Sequence, residues 1–148
     1  MAAERIGLDP LADAYCELGT NKHKMRYVNA PSERIPFPDE YFDVVSSFNS
    51  LDQVDNLDQT ISEIIRVLTP GGLFLLLTEL NHSPTPTEPM VFSWDIVKKF
   101  LPSLKLTEEK HYEKSKGGMY ESILAGIPYN HANKLRRYGI LSAKFIKD

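Results

Sequence analysis

The chain has 148 residues, 42% of them hydrophobic and 25% charged, and its formal net charge at pH 7 is −3. This length and composition suit one folded domain, residues 1–148, and exclude an intrinsically disordered chain. We predict a cytoplasmic protein, because the chain has a single cysteine, Cys16, and no signal-peptide pattern. We predict no nucleic-acid or membrane partner, because the net charge is weakly negative and no apolar run is long enough to span a bilayer.

The first third of the chain alternates between short strand patterns and helical patterns. Residues 5–9 predict a strand, and Pro10 then begins a helix that Gly19 ends. Residues 25–29 predict a second strand, and residues 42–48 predict a third.

The clearest helix follows this third strand. Asn56 or Asp55 can cap its first turn, and the turn at residues 70–72 ends it. Its apolar side chains form one continuous face: Leu57, Ile61, Ile64, Ile65 and Leu68. The run LFLLLT at residues 73–78 is apolar throughout, which is typical of a strand covered by helices on both faces.

The last part of the chain predicts one more helix and two strands. Ser93 can cap a short helix that carries Phe100, and residues 104–112 and 119–126 predict an antiparallel strand pair joined through residues 116–118. Alternation of strands and helices predicts an α/β, Rossmann-like fold: a mostly parallel open sheet with an antiparallel C-terminal strand pair.

Asp9 is the sharpest candidate for a ligand-binding residue. Ligands of open α/β sheets bind beyond the carboxyl ends of the strands, and an acidic side chain there can accept hydrogen bonds from both hydroxyls of a ribose. The alternative is that Asp9 only caps the helix that begins at Pro10. The residues around Asp9 leave both interpretations open.

Two segments, read in order, resemble a known family. Residues 35–39 read IPFPD and are followed by Phe42-Asp43, and residues 63–72 read EIIRVLTPGG before the apolar strand. Together they resemble the class I S-adenosylmethionine-dependent methyltransferases of the type 11 group. There, a segment like LPFPD-x-x-FD precedes the fourth strand, and one like E-x-x-RVLKPGG joins the fourth helix to the fifth strand.

The resemblance implies S-adenosyl-L-methionine as the cofactor and a small molecule as the methyl acceptor. Asp9, with Pro10 beside it, would bind the ribose at the end of the family's second strand. The other implied cofactor-binding residues are Ser32 and Glu33 near the adenine, and Phe48, Asn49 and Ser50 near the methionine part.

The chain departs from the family at two places. Pro31 stands where the family often has an acidic residue that contacts the adenine amino group. No G-x-G occurs before Asp9, so on this alignment the chain begins at the family's second strand and is truncated. The family's first strand lies in the middle of its sheet, so two strand edges would be unpaired here. Either these strands close up or another chain fills the space, and a homodimer through the edges is predicted.

No catalytic residue is identified, although His82 is the best-placed candidate base. It follows the run LFLLLT, and its alternative is a solvated loop histidine. Asn49 and Asp52 could hydrogen-bond a substrate, or Asp52 could cap a turn. The four histidines lack metal-ligand spacing, so we predict no metal site.

We therefore predict a methyltransferase domain that lacks part of its cofactor site and binds cofactor weakly, or not at all, by itself. One alternative is a non-catalytic methyltransferase-like remnant or dimerisation partner. Another is a nicotinamide-dependent oxidoreductase, which would explain neither of the two family-like segments.

Overall fold

The computed structural model describes residues 4–148, which form two β-sheets with helices packed around them. The smaller sheet has two strands and the larger has four. In chain order the elements are β1 (Ile6–Leu8), α1 (Ala12–Cys16), β2 (Arg26–Val28), β3 (Phe42–Phe48), α2 (Leu57–Val67), β4 (Leu68–Leu80), a 3-10 helix (Trp94–Phe100), β5 (Lys105–Glu113), α3 (Met119–Ala125) and β6 (Gly139–Ile146).

The larger sheet has the strand order β3-β4-β6-β5. β3 and β4 are parallel, and β6 lies antiparallel between β4 and β5. The predicted α/β architecture with an antiparallel C-terminal pair is confirmed, and β3 spans the seven residues that the sequence predicted. No helix among residues 4–148 is long and apolar enough to cross a bilayer.

The predicted members of the antiparallel pair were partly wrong. Residues 119–125 form helix α3 rather than a strand, because Met119, Ser122 and Ile123 share the helical face that packs on the sheet. The strand that pairs with β5 is β6, at the C-terminus. The face of β6 opposite the main core carries Lys144, so the sequence pattern there did not indicate a buried strand.

The main core lies between one face of the larger sheet, α2 and the 3-10 helix. Phe74, Phe100 and Phe145 are fully buried there, with ring centroids 5.0 to 5.8 Å apart. Helix α2 begins as predicted, because the Asn56 side chain accepts a hydrogen bond from the Gln59 backbone N–H at 3.0 Å. This core fixes the ends of β3 and β4.

Arg66 on α2 holds the loop that precedes β3. Its guanidinium donates to the carbonyl oxygens of Ile35 and Phe37, each at 2.9 Å, and to the carboxylates of Glu63 and Asp39. The Arg66 hydrogen bonds lower the pKa of Glu63. The two segments that resemble the methyltransferases are therefore one physical unit, in which the arginine of one orders the loop of the other.

The smaller sheet is joined to the larger one by side chains rather than by a strand ladder. β1 and β2 pair in parallel, and within residues 4–148 neither strand pairs with β3. The Glu4 carboxylate accepts hydrogen bonds from Arg26, at 3.0 Å, and from the Tyr41 hydroxyl, at 2.8 Å. Both hydrogen bonds lower the pKa of Glu4, and the bond from Tyr41 has the larger effect. β1 and β3 have not closed up into one sheet.

Candidate functional site

The loops that follow β2 and β3 meet at the carboxyl ends of the strands. The Glu33 carboxylate, in the loop after β2, accepts hydrogen bonds from the backbone N–H groups of Asp55, at 2.8 Å, and Asn56, at 3.0 Å. Partial burial opposes ionisation of Glu33, yet these N–H groups together lower its pKa. Beside it, the Ser32 hydroxyl lies 3.1 Å from the Thr60 hydroxyl. Both predicted adenine-side residues thus anchor their loop to the start of α2.

Asp9 lies directly after β1, and its carboxylate has one oxygen engaged. Oδ1 accepts a hydrogen bond from the Leu11 backbone N–H at 2.7 Å, so the capping interaction considered from the sequence is present. Within the described part of the chain, Oδ2 has no hydrogen-bond partner. The neighbouring Pro10 is exposed in the turn. Capping orients the carboxylate and leaves one oxygen for a hydroxyl-bearing ligand.

The turn after β3 holds the three residues predicted near the methionine part of the cofactor. Phe48 is 48% exposed. Asn49 has a left-handed backbone, with φ of 51°, and its side-chain oxygen is buried without a hydrogen-bond partner. The Ser50 hydroxyl lies 2.9 Å from that of Ser47. A strained backbone and an unsatisfied acceptor at one residue are typical of ligand-binding turns.

Asp52 and His82 form a buried pair that the sequence did not reveal. Their exposed fractions are 1% and 6%, and His82 Nε2 lies 3.4 Å from Asp52 Oδ2. The other ring nitrogen, Nδ1, lies 2.9 Å from the Ser83 carbonyl oxygen, to which its N–H can donate. The solvated-loop interpretation of His82 is therefore wrong. The pairing was invisible in the sequence because the two residues lie on different loops.

Burial raises the pKa of the Asp52 carboxyl above its ordinary value, and the negative charge of Glu88 adds to this effect while His82 opposes it. Asp52 Oδ1 and His82 Nε2 are both buried without a hydrogen-bond partner. Buried polar atoms are rarely left unsatisfied unless they serve a ligand or hold strain. The pair can therefore bind a proton or accept a hydrogen bond from a substrate.

The cover over this pair comes from the proline-rich loop that follows His82. The Asp52 carbonyl oxygen accepts a hydrogen bond from Met90 N–H at 3.4 Å, and the Phe92 carbonyl oxygen accepts one from Asn81 N–H at 2.9 Å. Between these anchors, residues 83–89 are mostly exposed. Two backbone hydrogen bonds and the Phe92 side chain thus hold the loop over Asp52 and His82.

A second group of charged residues lies nearby, at the ends of β4 and β5. Glu79 forms an ion pair with Lys114, whose ammonium lies 5.1 Å from the centre of the Tyr138 ring. A shallow cavity of about 390 Å³ is lined by Glu113, Lys114, Ser115, Lys116, Arg137 and Tyr138. The sequence pointed to Glu79 as part of a strand end and to Arg137 and Tyr138 as part of a basic C-terminal stretch, but it did not predict that they meet.

Comparison with known proteins relates the chain to methyltransferases. Residues 3–76 match the model of the family described as Methyltransferase domain. The ubiquinone/menaquinone biosynthesis C-methyltransferase UbiE of Stutzerimonas stutzeri is 45% identical over 53 residues, which are 36% of this chain and 21% of that protein. UbiE of Shewanella sediminis is 32% identical over 118 residues, covering 74% of this chain and 47% of that protein. The chain thus spans less than half the length of these relatives.

Solved structures share the fold at low sequence identity. A methyltransferase from Bacillus halodurans, described as putative, superposes with a TM-score of 0.70 and 18% identity over 96% of this chain and 82% of its own. An S-adenosylmethionine-dependent methyltransferase from Mesorhizobium loti superposes with a TM-score of 0.68 and 14% identity, over 99% of this chain and 81% of its own. The fold predicted from the sequence is confirmed.

Proposed function

This chain belongs to the methyltransferase domain family, and from that membership we propose that it forms part of an enzyme that methylates a small-molecule acceptor. S-adenosylmethionine is the cofactor of this class of domain. When bound, it supplies a methyl group carried by a positively charged sulfur. The observation that carries the proposal is the group of unsatisfied polar atoms on Asn49, Asp52 and His82, beyond the ends of β3 and β4.

The residues after β1 and β3 fit such a cofactor in part. Asp9 Oδ2 can accept a hydrogen bond from a ribose hydroxyl, while Oδ1 keeps its bond to the Leu11 N–H. The buried Asn49 oxygen can accept a hydrogen bond from an ammonium or hydroxyl group. The exposed Phe48 offers an apolar surface next to it.

We propose that the acceptor carries an ionisable hydroxyl group, as a hydroquinone does. Two facts support this: the UbiE relatives are named as C-methyltransferases of quinone biosynthesis, and a buried carboxyl–imidazole pair lies after β3 and β4. His82 Nε2 would take the hydroxyl proton, and Asp52 would stabilise the resulting imidazolium. The loop over the pair must move aside for this contact, which requires breaking the two backbone hydrogen bonds that anchor it and loosening the packing of Phe92.

Cofactor binding is tested first by calorimetric titration with S-adenosylhomocysteine. We expect weak binding to the 148-residue chain, loss of binding in Asp9→Ala, and little change in the control Asp13→Ala, whose carboxylate bonds to Asn29 instead. Tighter binding to a version extended upstream, where the gene encodes one, would show that residues before Met1 contribute to cofactor binding. Absence of binding to both versions would overturn the enzyme assignment.

The proton-transfer role is tested on any version that binds cofactor. With a naphthohydroquinone as acceptor, we expect His82→Gln to lower kcat by about 100-fold with little change in KM. His23→Gln serves as the control, since His23 is exposed and contacts only Tyr27 through its hydrogen bond. Unchanged kcat in His82→Gln would refute the role of His82 and leave the cofactor site intact.

A second candidate function is that of a non-catalytic, dimerising partner with a methyltransferase fold. The edges of β1 and β3, which have no strand partner among residues 4–148, favour it, because exposed strand edges readily pair with another chain. Sedimentation equilibrium distinguishes it: a stable homodimer that ignores S-adenosylhomocysteine would support this function, and a monomer would refute it.

A further inference from the structure

A chain of hydrogen bonds outside the proposed site connects β5 to the loop of residues 127–138, which lies between α3 and β6. His111 on β5 faces His131 on this loop, and His111 Nδ1 lies 2.8 Å from His131 Nε2. The other ring nitrogen of His111, Nε2, lies 2.7 Å from Glu109 Oε1. Glu109 and His111 are two residues apart on one strand, so their side chains share a face of the sheet. We call Glu109, His111 and His131 the histidine latch.

The proton positions in the histidine latch follow from its donors and acceptors. A carboxylate only accepts hydrogen bonds, so His111 Nε2 carries a proton and donates to Glu109. In a neutral His111 the second ring nitrogen, Nδ1, is then an acceptor, so the proton between the two rings belongs to His131 Nε2. With both rings neutral, each of these three nitrogen atoms has a hydrogen-bond partner.

The contact between the two rings holds with one added proton and fails with two. If one ring is protonated, it donates to the lone pair of the other ring, so the hydrogen bond persists. If both rings are protonated, two N–H groups point at each other across 2.8 Å, and the centres of two positively charged rings lie 5.0 Å apart. Separation of the rings relieves both effects. The separated rings therefore bind more protons than the paired rings, so the contact weakens as the pH falls.

Uncharged side chains from three other segments surround the histidine pair. Trp94, on the 3-10 helix, stacks on His111 with ring centroids 3.9 Å apart, and it meets His131 edge-on at 5.1 Å. Tyr129, on the loop, lies 4.7 Å from Trp94 and 4.9 Å from His131. The residue opposite His111 on β6 is the fully buried Leu141. These side chains order the pair and cannot balance a second positive charge.

The charged groups that face the pair already balance one another. Lys134 Nζ donates to the His131 carbonyl oxygen at 3.1 Å, and Arg137 forms an ion pair with Glu113. The charged groups on the elements packed against the pair are Glu109, Glu113, Lys134 and Arg137, and the two ion pairs of the 3-10 helix, Asp95–Lys98 and Lys99–Asp58. Each carboxylate in this set is matched by a permanent cation. Among these groups no anion is left over to balance a second protonated ring.

The loop that the histidine latch holds also borders the proposed acceptor side of the site. The Arg137 carbonyl oxygen accepts a hydrogen bond from Nδ2 of Asn81, at the end of β4, at 3.3 Å. Arg137 and Tyr138 line the cavity described above. The Arg137–Glu113 ion pair is a second anchor of the loop, and the hydrogen bonds from Arg137 lower the pKa of Glu113. This anchor therefore persists in mild acid, so protonation of the histidine pair frees the middle of the loop first.

We propose that the histidine latch is a pH-sensitive switch: it holds loop 127–138 on β5 while the pair carries at most one added proton, and it releases the loop when both rings are protonated. Imidazoles change charge between about pH 5 and pH 8, so the release falls in mild acid. The loop residues other than Tyr129 and Arg137 are exposed, so few other contacts oppose the release. Release loosens one wall of the cavity beside the proposed acceptor side of the site.

The first test is nuclear magnetic resonance of the 148-residue chain with labelled histidine rings. A scalar coupling between His111 Nδ1 and His131 Nε2 is direct evidence of the N–H···N hydrogen bond. We expect this coupling at about pH 7.5 and its loss by about pH 5, when both rings are protonated. The Tyr129 amide donates to the His111 carbonyl oxygen at 3.0 Å. Over the same range it should lose tenfold or more of its exchange protection, corrected for the pH dependence of exchange itself, while the β4 amides keep theirs.

Two substitutions at His131 separate the hydrogen bond from the added proton. In His131→Gln, the side-chain amide can donate to a neutral His111 or accept from a protonated one, so the protection of the Tyr129 amide should no longer fall in acid. In His131→Ala the bond is lost, so this protection should be as low at about pH 7.5 as in the acidified parent. His23→Gln is the control and should behave like the parent, because the exposed His23 bonds to Tyr27 instead.

Three outcomes would contradict the proposal. Absence of the coupling at neutral pH, with or without a chelator, would show that the rings do not share a hydrogen bond. A coupling that appears only after treatment with a chelator would assign the pair to a metal ion. An undiminished acid loss of Tyr129 protection in His131→Gln would assign the pH response to another group. None of these measurements uses the cofactor or an acceptor, so they are separable from a failure of the proposed enzyme.

Discussion

The two sheets of this molecule differ in how they are stabilised. The four-stranded sheet carries the hydrophobic core, with three buried phenylalanines and the apolar face of α2 packed against β4. In the stretch from residue 4 to residue 41, which carries the smaller sheet, Ala12 is the only buried hydrophobic side chain. The two-stranded sheet is held instead by hydrogen bonds and ion pairs at its ends. Apolar burial, the dominant stabilising contribution, is thus concentrated in one half.

The proposed site lies across this division. Asp9, Ser32 and Glu33 belong to the weakly packed part, whereas Asn49, Asp52 and His82 follow strands of the well-packed part. Segments with little apolar burial open at low free energy, and ligand-binding loops are often drawn from them. We infer that the part of the site after β3 and β4 is rigid and that the part around Asp9 acquires its rigidity from what binds there.

The largest expected effect lies in the core of the four-stranded sheet. Phe74→Ala should lower the free energy of unfolding by about 3–5 kcal/mol, because it removes a buried ring and leaves a cavity. Urea denaturation measures the change. Leu18→Ala is the control: Leu18 is 81% exposed in the other half, and its truncation should change stability by less than about 0.5 kcal/mol. Similar losses for both variants would remove the distinction between the two halves.

Arg66 tests the link between α2 and the loop before β3. Arg66→Ala should lower the free energy of unfolding by about 2–3 kcal/mol, because it leaves the carbonyls of Ile35 and Phe37 and the Glu63 carboxylate without their donor. Arg66→Lys should restore little, since one ammonium cannot reproduce these bonds. Arg34→Ala, at an exposed arginine, is the control. Full stability in Arg66→Lys would show that charge alone matters.

Gly139 on β6 tests packing at the edge of the core. A Cβ there would lie 2.7 Å from a Trp94 ring atom and 3.1 Å from Tyr129. Gly139→Ala should therefore lower the free energy of unfolding by about 1–3 kcal/mol and shift the emission of Trp94, the only tryptophan of the chain. Ser142→Ala, on the opposite face of the same strand, is the control. Unchanged emission would show that Trp94 does not pack on this strand in solution.

The sequence predicted the locally specified elements of the molecule better than the contacts between distant residues. β3 and α2 were predicted closely, because a capping residue and a strong apolar periodicity specify them locally. β6 was missed because its partners β4 and β5 precede it by many residues and only the assembled sheet buries it. The Asp52–His82 pair was missed for a similar reason: each residue was considered separately, and the contact forms between two loops. Local patterns predict elements, whereas the site depends on contacts distant in sequence.

The smallest expected effect concerns Glu4, whose carboxylate joins the two sheets by accepting hydrogen bonds from Arg26 and Tyr41. The pKa of Glu4 is lowered in the folded chain. The hydrogen bonds to Glu4 therefore stabilise the contact fully above the ordinary glutamate pKa of about 4.3, and this stabilisation is lost as the pH falls through the lower folded value. Glu4→Gln should remove this pH dependence. We expect the β1 amides to exchange several-fold faster in Glu4→Gln than in the parent at neutral pH, and equally fast once the parent is acidified.

The β4 amides are the internal reference for this measurement, because the ladders to β3 and β6 do not involve Glu4. Their exchange should be the same in Glu4→Gln and the parent at each pH. Equal acceleration of β1 and β4 would mean that the two sheets unfold as one cooperative unit. Acceleration of β1 alone would show that the half carrying Asp9 opens independently of the core of the larger sheet.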